Sequence, residues 1–263
     1  MGLFSLFKKN SKQKDTGKNK IVLGMVLLEE TDSMNIESVV DELRIKWQLT
    51  VDDTEAGKET SVLTIEGYMV AVGNMPVPIP GKEVEEAADY NYYWENGAAE
   101  AAAHKGHIIV SVMNGGKDPV KENLLFSKVV SSVLNNSSSV GVYIGGRTLL
   151  LKKDFFQENM EDVSEDNLPV NNLVYFGIRR AEGKNSVYTY GLEDFEKLEM
   201  EIVDSAHPME ELMEMMYNVT CYVLENNIEF RDGETVGMSA EQKLKLKISA
   251  GKYLEGKTLK IDY

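Results

Sequence analysis

Two of the three histidines sit in one short phrase, Glu100-Ala-Ala-Ala-His104-Lys-Gly-His107. Glu100 and His104 are four residues apart, so on a helix they share a face. His107 follows a glycine that can turn the chain back toward them. A carboxylate and two imidazoles could supply three ligands to a divalent metal, and Glu100, His104 and His107 are the candidate metal residues. The phrase is not the metalloprotease helix, because no glutamate adjoins a histidine. The preferred reading is structural, with His104 near a helix C-terminal dipole and His107 bonded locally at a strand start. A second candidate is the turn Asp232-Gly-Glu-Thr-Val-Gly237. Asp232, Glu234 and Thr235 there could bind a ligand beside a flexible loop. Asp-Gly is also a common tight-turn dipeptide, and a plain turn is favoured.

Other matches carry less chemistry. Gly251-Lys-Tyr-Leu-Glu-Gly256-Lys257-Thr258 satisfies the phosphate-loop pattern by letter. That mechanism needs a helix directly after the Lys-Thr pair, and Leu259–Tyr263 alternate like a strand instead. The expected structure is a hairpin turn. Cys221, the single cysteine, has no histidine or aspartate placed to activate it. Met209, Met213, Met215 and Met216 are spaced as the core face of a helix. Tyr90, Tyr92 and Tyr93 beside Trp94 could form an exposed sticky patch.

The elements that must position these residues follow from apolar spacing. Ile21–Leu28 reads as a buried strand. Ile36, Val39, Val40, Leu43 and Trp47 mark one helix face, with Asn35 or Ser33 as its cap. Val62–Ile65 and Tyr68–Val72 are strands. Met75–Pro80 has prolines at alternate positions, so it cannot donate a regular ladder. Lys82–His104 is expected as one helix ended by Gly106. A strand at Ile108–Met113 follows, and Asp118-Pro119 opens a helix with Leu125, Phe126, Val129, Val130 and Val133 inward. Val140–Ile144 and Thr148–Leu151 form a hairpin. The acidic stretch Glu158–Asn167 is the candidate boundary. Beyond it come strands near Leu173–Arg179, Val187–Tyr190 and Leu198–Val203, a helix opened by Pro208, and strands at Leu244–Ile248 and Thr258–Tyr263. The expected fold class is α+β, with mixed or antiparallel sheets packed with helices in two closely associated halves. They would span residues 21–160 and 168–263, after a basic arm at residues 1–20.

Charge narrows the partners. The 263 residues carry a formal net charge of −15. Six lysines and one aspartate fall in residues 1–20, net +5, which leaves −20 on residues 21–263. No nucleic-acid partner is expected, since phosphate binding needs a basic face. No transmembrane segment is expected, and Lys8, Lys9 and Lys12 of the arm allow weak peripheral contact with an anionic membrane. A lone thiol and no export signal point to the cytoplasm.

Several phrases taken in order resemble one family: Met75–Pro80, Trp94, His104–Val110, Gly141–Tyr143, Leu168-Pro169, Gly191-Leu192 and Asp232–Gly237. Together they resemble the bacterial "domain of unknown function" family numbered 4261, from about Val22 to the C-terminus. The resemblance implies an α+β core in a bacterial cytoplasmic protein, and brings no agreed activity, cofactor or catalytic residue. No cofactor is expected. The leading function is a non-catalytic binding protein that recognises a protein or peptide partner through an acidic surface, with toxin neutralisation or secretion service as a narrower form. The alternative is a metal-binding hydrolase or sensor using Glu100, His104 and His107, with Asp232 or Glu234 as further ligands.

Overall fold

The computed structural model describes residues 20–57, 59–239 and 241–263. The arm with Lys8, Lys9 and Lys12 lies outside the described residues. Seven strands build a fully antiparallel first sheet in the order β2-β3-β4-β5-β1-β6-β7. They are β1 (Lys20–Leu28), β2 (Val51–Ala56), β3 (Thr60–Ile65), β4 (Tyr68–Met75), β5 (Gly106–Gly115), β6 (Ser139–Ile144) and β7 (Leu149–Lys152). The unbroken apolar run of β1 has a direct cause. Helices cover both faces of the sheet at the strand's C-terminal half, so Val26, Leu27 and Leu28 are all buried, whereas Ile21 and Leu23, expected in the same buried run, are exposed. Val26 and Leu28 enter the main core, while Leu27 joins a smaller cluster with Trp94, Val84 and Tyr143.

One face carries α1 (Ile36–Ile45) and α4 (Pro119–Asn135). Both start at side-chain caps: Asn35 accepts from the amide of Ser38, and Asp118 from that of Lys121. The other face carries α2 (Glu83–Ala88) and α3 (Gly97–Ala102). The single helix expected over 82–104 is therefore two short ones. The Asn91 carboxamide makes the break. Its oxygen accepts from the amide of Tyr93 at 2.9 Å, and its nitrogen donates to the carbonyl of Leu150 on β7. A side chain bonded two residues onward in its own backbone favours a turn over a helix.

Two short helices follow β7: α5 (Lys153–Glu158) and α6 (Val170–Leu173). The second sheet runs β11-β12-β13-β10-β9-β8, from β8 (Tyr175–Ala181), β9 (Lys184–Tyr190), β10 (Met200–Ser205), β11 (Thr235–Val236), β12 (Leu244–Ala250) and β13 (Lys257–Ile261). It is mixed, since β10 pairs parallel with β13 and the other pairs are antiparallel. The long helix α7 (Met209–Glu225) packs on one face, burying Leu212, Met215, Met216, Val219 and Val223. The cores of the two sheets interlock: Tyr175 and Tyr188 of the second sheet join the first core, and Leu124 of α4 joins the second. The fold is α+β, as its element pattern implies. Among the described residues no helix is long and apolar enough to cross a membrane.

Candidate functional site

The histidine pair is placed by the proline segment. Pro76–Pro80 lacks a ladder partner, and the two imidazoles supply one. His104 Nε2 accepts the amide hydrogen of Ile79 at 2.8 Å, which requires the proton to sit on Nδ1, and Nδ1 donates to the carbonyl of Ala101 at 2.6 Å. His107 Nδ1 donates to the carbonyl of Val77 at 2.9 Å. Burial pushes the His107 imidazole below its ordinary pKa; the Val77 bond opposes that shift and His104 adds to it. His104 lies beyond the end of α3, so it does not share a helix face with Glu100. Glu100 instead accepts from the indole of Trp94 at 2.8 Å and lies 3.5 Å from the Lys152 ammonium. Among the described residues no three His, Cys, Asp or Glu side chains gather as a metal-holding group. With both His104 nitrogens spent on backbone groups, the structure uses this pair to fix a proline-rich strap.

The glycine turn places Asp232, Glu234 and Thr235 at the entry to β11. Asp232 accepts the amide of Ile248 at 2.7 Å, and Glu234 accepts that of Arg231 at 2.9 Å. Gly233 takes a left-handed φ of 84°, as its tight turn requires. Thr235 is exposed and pairs with Lys245. Cys221 hydrogen-bonds with Tyr217, and burial pushes its thiol up to about 11, away from nucleophile chemistry. The tyrosines are not a loose patch. Tyr92 donates to the carbonyl of Phe176 at 2.8 Å, and Tyr175 donates to the carbonyl of Tyr90 at 2.9 Å. With Asn91 on Leu150, this aromatic loop covers the edge strands β7 and β8 of the two sheets.

The phosphate-loop phrase turns out to hold an anion that belongs to the chain. Gly251–Gly256 is the β12–β13 turn, closed by Gly251 N–H to the Gly256 carbonyl at 2.9 Å. Its amides point inward at Glu201 on β10. Tyr253 N–H donates to Glu201 Oε1 at 2.7 Å, and Lys252 N–H lies 3.1 Å from both oxygens. Thr258 Oγ1 donates to Oε2 at 2.7 Å, and the Lys260 ammonium completes the cradle. Tyr188 packs alongside, stacked on Tyr253 at 5.7 Å, and its ring covers Gly177 so closely that a Cβ there would lie 2.0 Å from it. Glu201 is fully buried. Burial alone would raise its pKa, yet the Lys260 ammonium, the two amides and the hydroxyl hold it below the ordinary carboxylate value.

Glu199, two residues earlier on the same face, meets neutral dipoles only. Gly191 and Leu192 amides donate to it at 2.7 and 2.8 Å, and Thr189 Oγ1 at 2.7 Å. Burial outweighs these bonds and pushes its carboxyl up to about 7. A native pKa above the unfolded value of 4.5 means the folded state binds more protons between the two. Stability then falls as pH rises through that window, by about 3 kcal/mol over the full span. Glu199→Gln keeps an acceptor for the amides and presents its NH2 to Thr189. Denaturant midpoints taken from pH 5 to pH 8 are expected to fall for the wild type and stay nearly level for this variant. Parallel curves would refute the assignment.

One groove lies apart from these clusters. It has a volume of about 610 Å³ and is lined by Trp47, Gln48, Lys128, Met160, Glu161 and Asp162, among others. Trp47 donates its indole N–H to Ser132 Oγ at 3.0 Å, while the Lys46 and Lys128 ammoniums lie 4.5 and 5.8 Å from its ring centroid. Nothing in the sequence marks it, because its walls come from three separate segments: Trp47 reads as a core position and Glu158–Asn167 as an acidic boundary.

The family model described as Domain of unknown function (DUF4261) matches residues 188–262. Over that stretch the chain is similar to this family. The match takes in the last three residues of β9, all of β10, the helix α7 and the closing strands, and with them Glu199, Glu201, Lys252, Tyr253, Thr258 and Lys260. The Asp232–Gly237 turn lies inside the DUF4261 match, and the proline phrase and histidine pair lie outside it. No curated protein and no solved structure matches the chain.

Proposed function

We propose that this protein is a non-catalytic binding protein that docks a protein partner through an acidic face. The observation that supports this reading is the loop after α5. Glu158, Glu161, Asp162, Glu165 and Asp166 are all exposed within nine residues. The loop is nevertheless pinned: Ser164 and Asn167 exchange backbone hydrogen bonds at 3.1 and 3.4 Å, and Asn167 Nδ2 donates to the Asp162 carbonyl at 3.0 Å. Leu168 N–H reaches Glu225 Oε1 at 3.3 Å. Among the described residues, one ion pair relieves this charge, Lys121 to Glu165 at 3.8 Å. Fixing like charges together costs stability through repulsion, and a basic partner relieves that cost while being steered toward it. Glu158, Glu165 and Asp166 replaced together by Gln, Gln and Asn test the reading. The wild-type chain used as bait is expected to retain a basic protein at low and physiological salt. The variant should lose it or show an association rate lower by about tenfold. Equal recovery by both baits, or none by either, refutes the reading.

A further inference from the structure

The acidic loop forms one wall of the Trp47 groove, and the opposite wall carries a lysine that makes no ion pair among the described residues. Lys128 on α4 is half-buried, and among the described residues the recorded contact of its ammonium is the face of Trp47 at 5.8 Å. Burial pushes its pKa below the ordinary lysine value, partly offset by Glu165 and Glu66. Lys46, its neighbour over the same ring, is drawn toward Glu42 at 3.5 Å. Across the groove stand the exposed carboxylates of Glu161 and Asp162, above a floor that includes Met160. The groove therefore presents a cation on one wall, carboxylates on the other and the Trp47 ring between them. Its volume lies within the ~300–1,000 Å³ of ligand clefts.

Two lip residues share a backbone conformation that makes them useful for a test. Gln48 has φ 54° and Asp162 has φ 55°. Both are in the left-handed region, where glycine is less strained. Gln48 turns the chain out of α1, with Leu49 N–H bonding back to the Leu43 carbonyl at 3.0 Å, at a kind of position where glycine is usual. The chain accepts strain at both lips and keeps two exposed polar side chains facing one opening.

We infer that this groove takes a short mixed-charge peptide segment of the partner, its carboxylate on Lys128 and its basic side chain against Glu161 and Asp162. This rests on the binding reading above and narrows it to one groove. The carboxylate would replace the hydration that Lys128 half loses on folding, and the chain between the two charges would lie over the Trp47 ring.

The test is selection of phage-displayed random heptapeptides on the immobilised full chain, followed by titration of the selected synthetic peptides. Enriched sequences are expected to carry Asp or Glu within about four residues of Lys or Arg. Their affinity should fall at least about tenfold for Lys128→Gln and for Asp162→Gly. Gln48→Gly should also bind more weakly. Both glycine variants are expected to melt a few degrees higher, because each relieves left-handed strain, so their loss of binding cannot be ascribed to unfolding. Asp166→Asn, outside the groove and not among the groups that act on Lys128, should leave the peptide affinity unchanged while weakening capture of a whole basic partner. That separates failure of this inference from failure of the broader one. No enrichment, or peptides that bind Lys128→Gln and Asp162→Gly as they bind the wild type, overturns the inference.

Discussion

Replacing Glu201 by alanine is expected to destabilise the fold by about 3–5 kcal/mol, the range for breaking a buried ion pair from one side. The carboxylate is fully buried, and four donors depend on it: the amides of Lys252 and Tyr253, the Thr258 hydroxyl and the Lys260 ammonium. Alanine leaves all four facing an empty space. Glutamine is expected to do little better, because its NH2 would turn a donor toward donors. That outcome is opposite to the one expected for Glu199→Gln, although the two glutamates are two residues apart. The difference is Lys260, which demands a negative charge at 201 and has no counterpart at 199. Acetate or formate should recover part of the loss in Glu201→Ala, since a small carboxylate fits the vacated cradle. Melting curves with and without 0.1 M acetate at constant ionic strength measure this. A Glu201→Gln protein as stable as the wild type would overturn the account. The wild-type contribution of Glu201 is present above the ordinary carboxylate pKa and is lost as pH falls through its depressed native value.

The second large effect is expected at Arg147, which is 2% exposed. It sits in the Gly145-Gly146-Arg147 turn between β6 and β7, and its guanidinium reaches into the second sheet's surroundings. Nε donates to Asp194 at 2.7 Å, one terminal nitrogen donates to the Leu173 carbonyl at 3.1 Å, and the other to Asn123 Oδ1 on α4. Phe195 lies against it, 5.2 Å from ring centroid to guanidinium carbon. The fork geometry serves three acceptors in different directions, which one ammonium cannot do. Arg147→Ala is expected to cost about 3 kcal/mol, and Arg147→Lys most of that, through acceptors left without donors. Asp194 is 56% exposed, so Asp194→Ala should cost under about 1 kcal/mol. Denaturant titration of the three variants settles the order, and a mild Arg147→Lys would contradict it.

Both residues show where sequence reading stops. Arg147 was legible only as the third residue of a hairpin turn, a place where arginine is ordinarily exposed. Its burial depends on Asn123, Leu173 and Asp194, which lie 24, 26 and 47 residues away. Glu201 was legible as one polar position in a strand. The loop that cradles it reads from sequence as a turn, which it is, but nothing local says that its amides meet a carboxylate 51 residues earlier. The histidine phrase shows the same limit from the other side. Spacing on an assumed helix put Glu100 and His104 on one face, and the helix stops at Ala102. The Asn91 turn had already divided the expected helix, because its carboxamide bonds to Leu150 on a strand formed later in the chain.

What the residues decided alone were the features carried by local rules. Apolar period set the strands β1, β5 and β6 and the helices α1, α4 and α7. Asn35, Asp118 and Pro208 set where those helices begin, since caps and prolines act within one turn. Alternating elements set the α+β class, and composition set the acidic charge. Tertiary structure alone decided which polar groups meet. A buried carboxylate, guanidinium or imidazole is tolerated only where several distant donors or acceptors converge on it, and that convergence is a property of packed sheets and loops. The same reason hid the groove: Trp47, Lys128 and Asp162 are far apart in the chain and become one surface only when α1, α4 and the acidic loop are brought together.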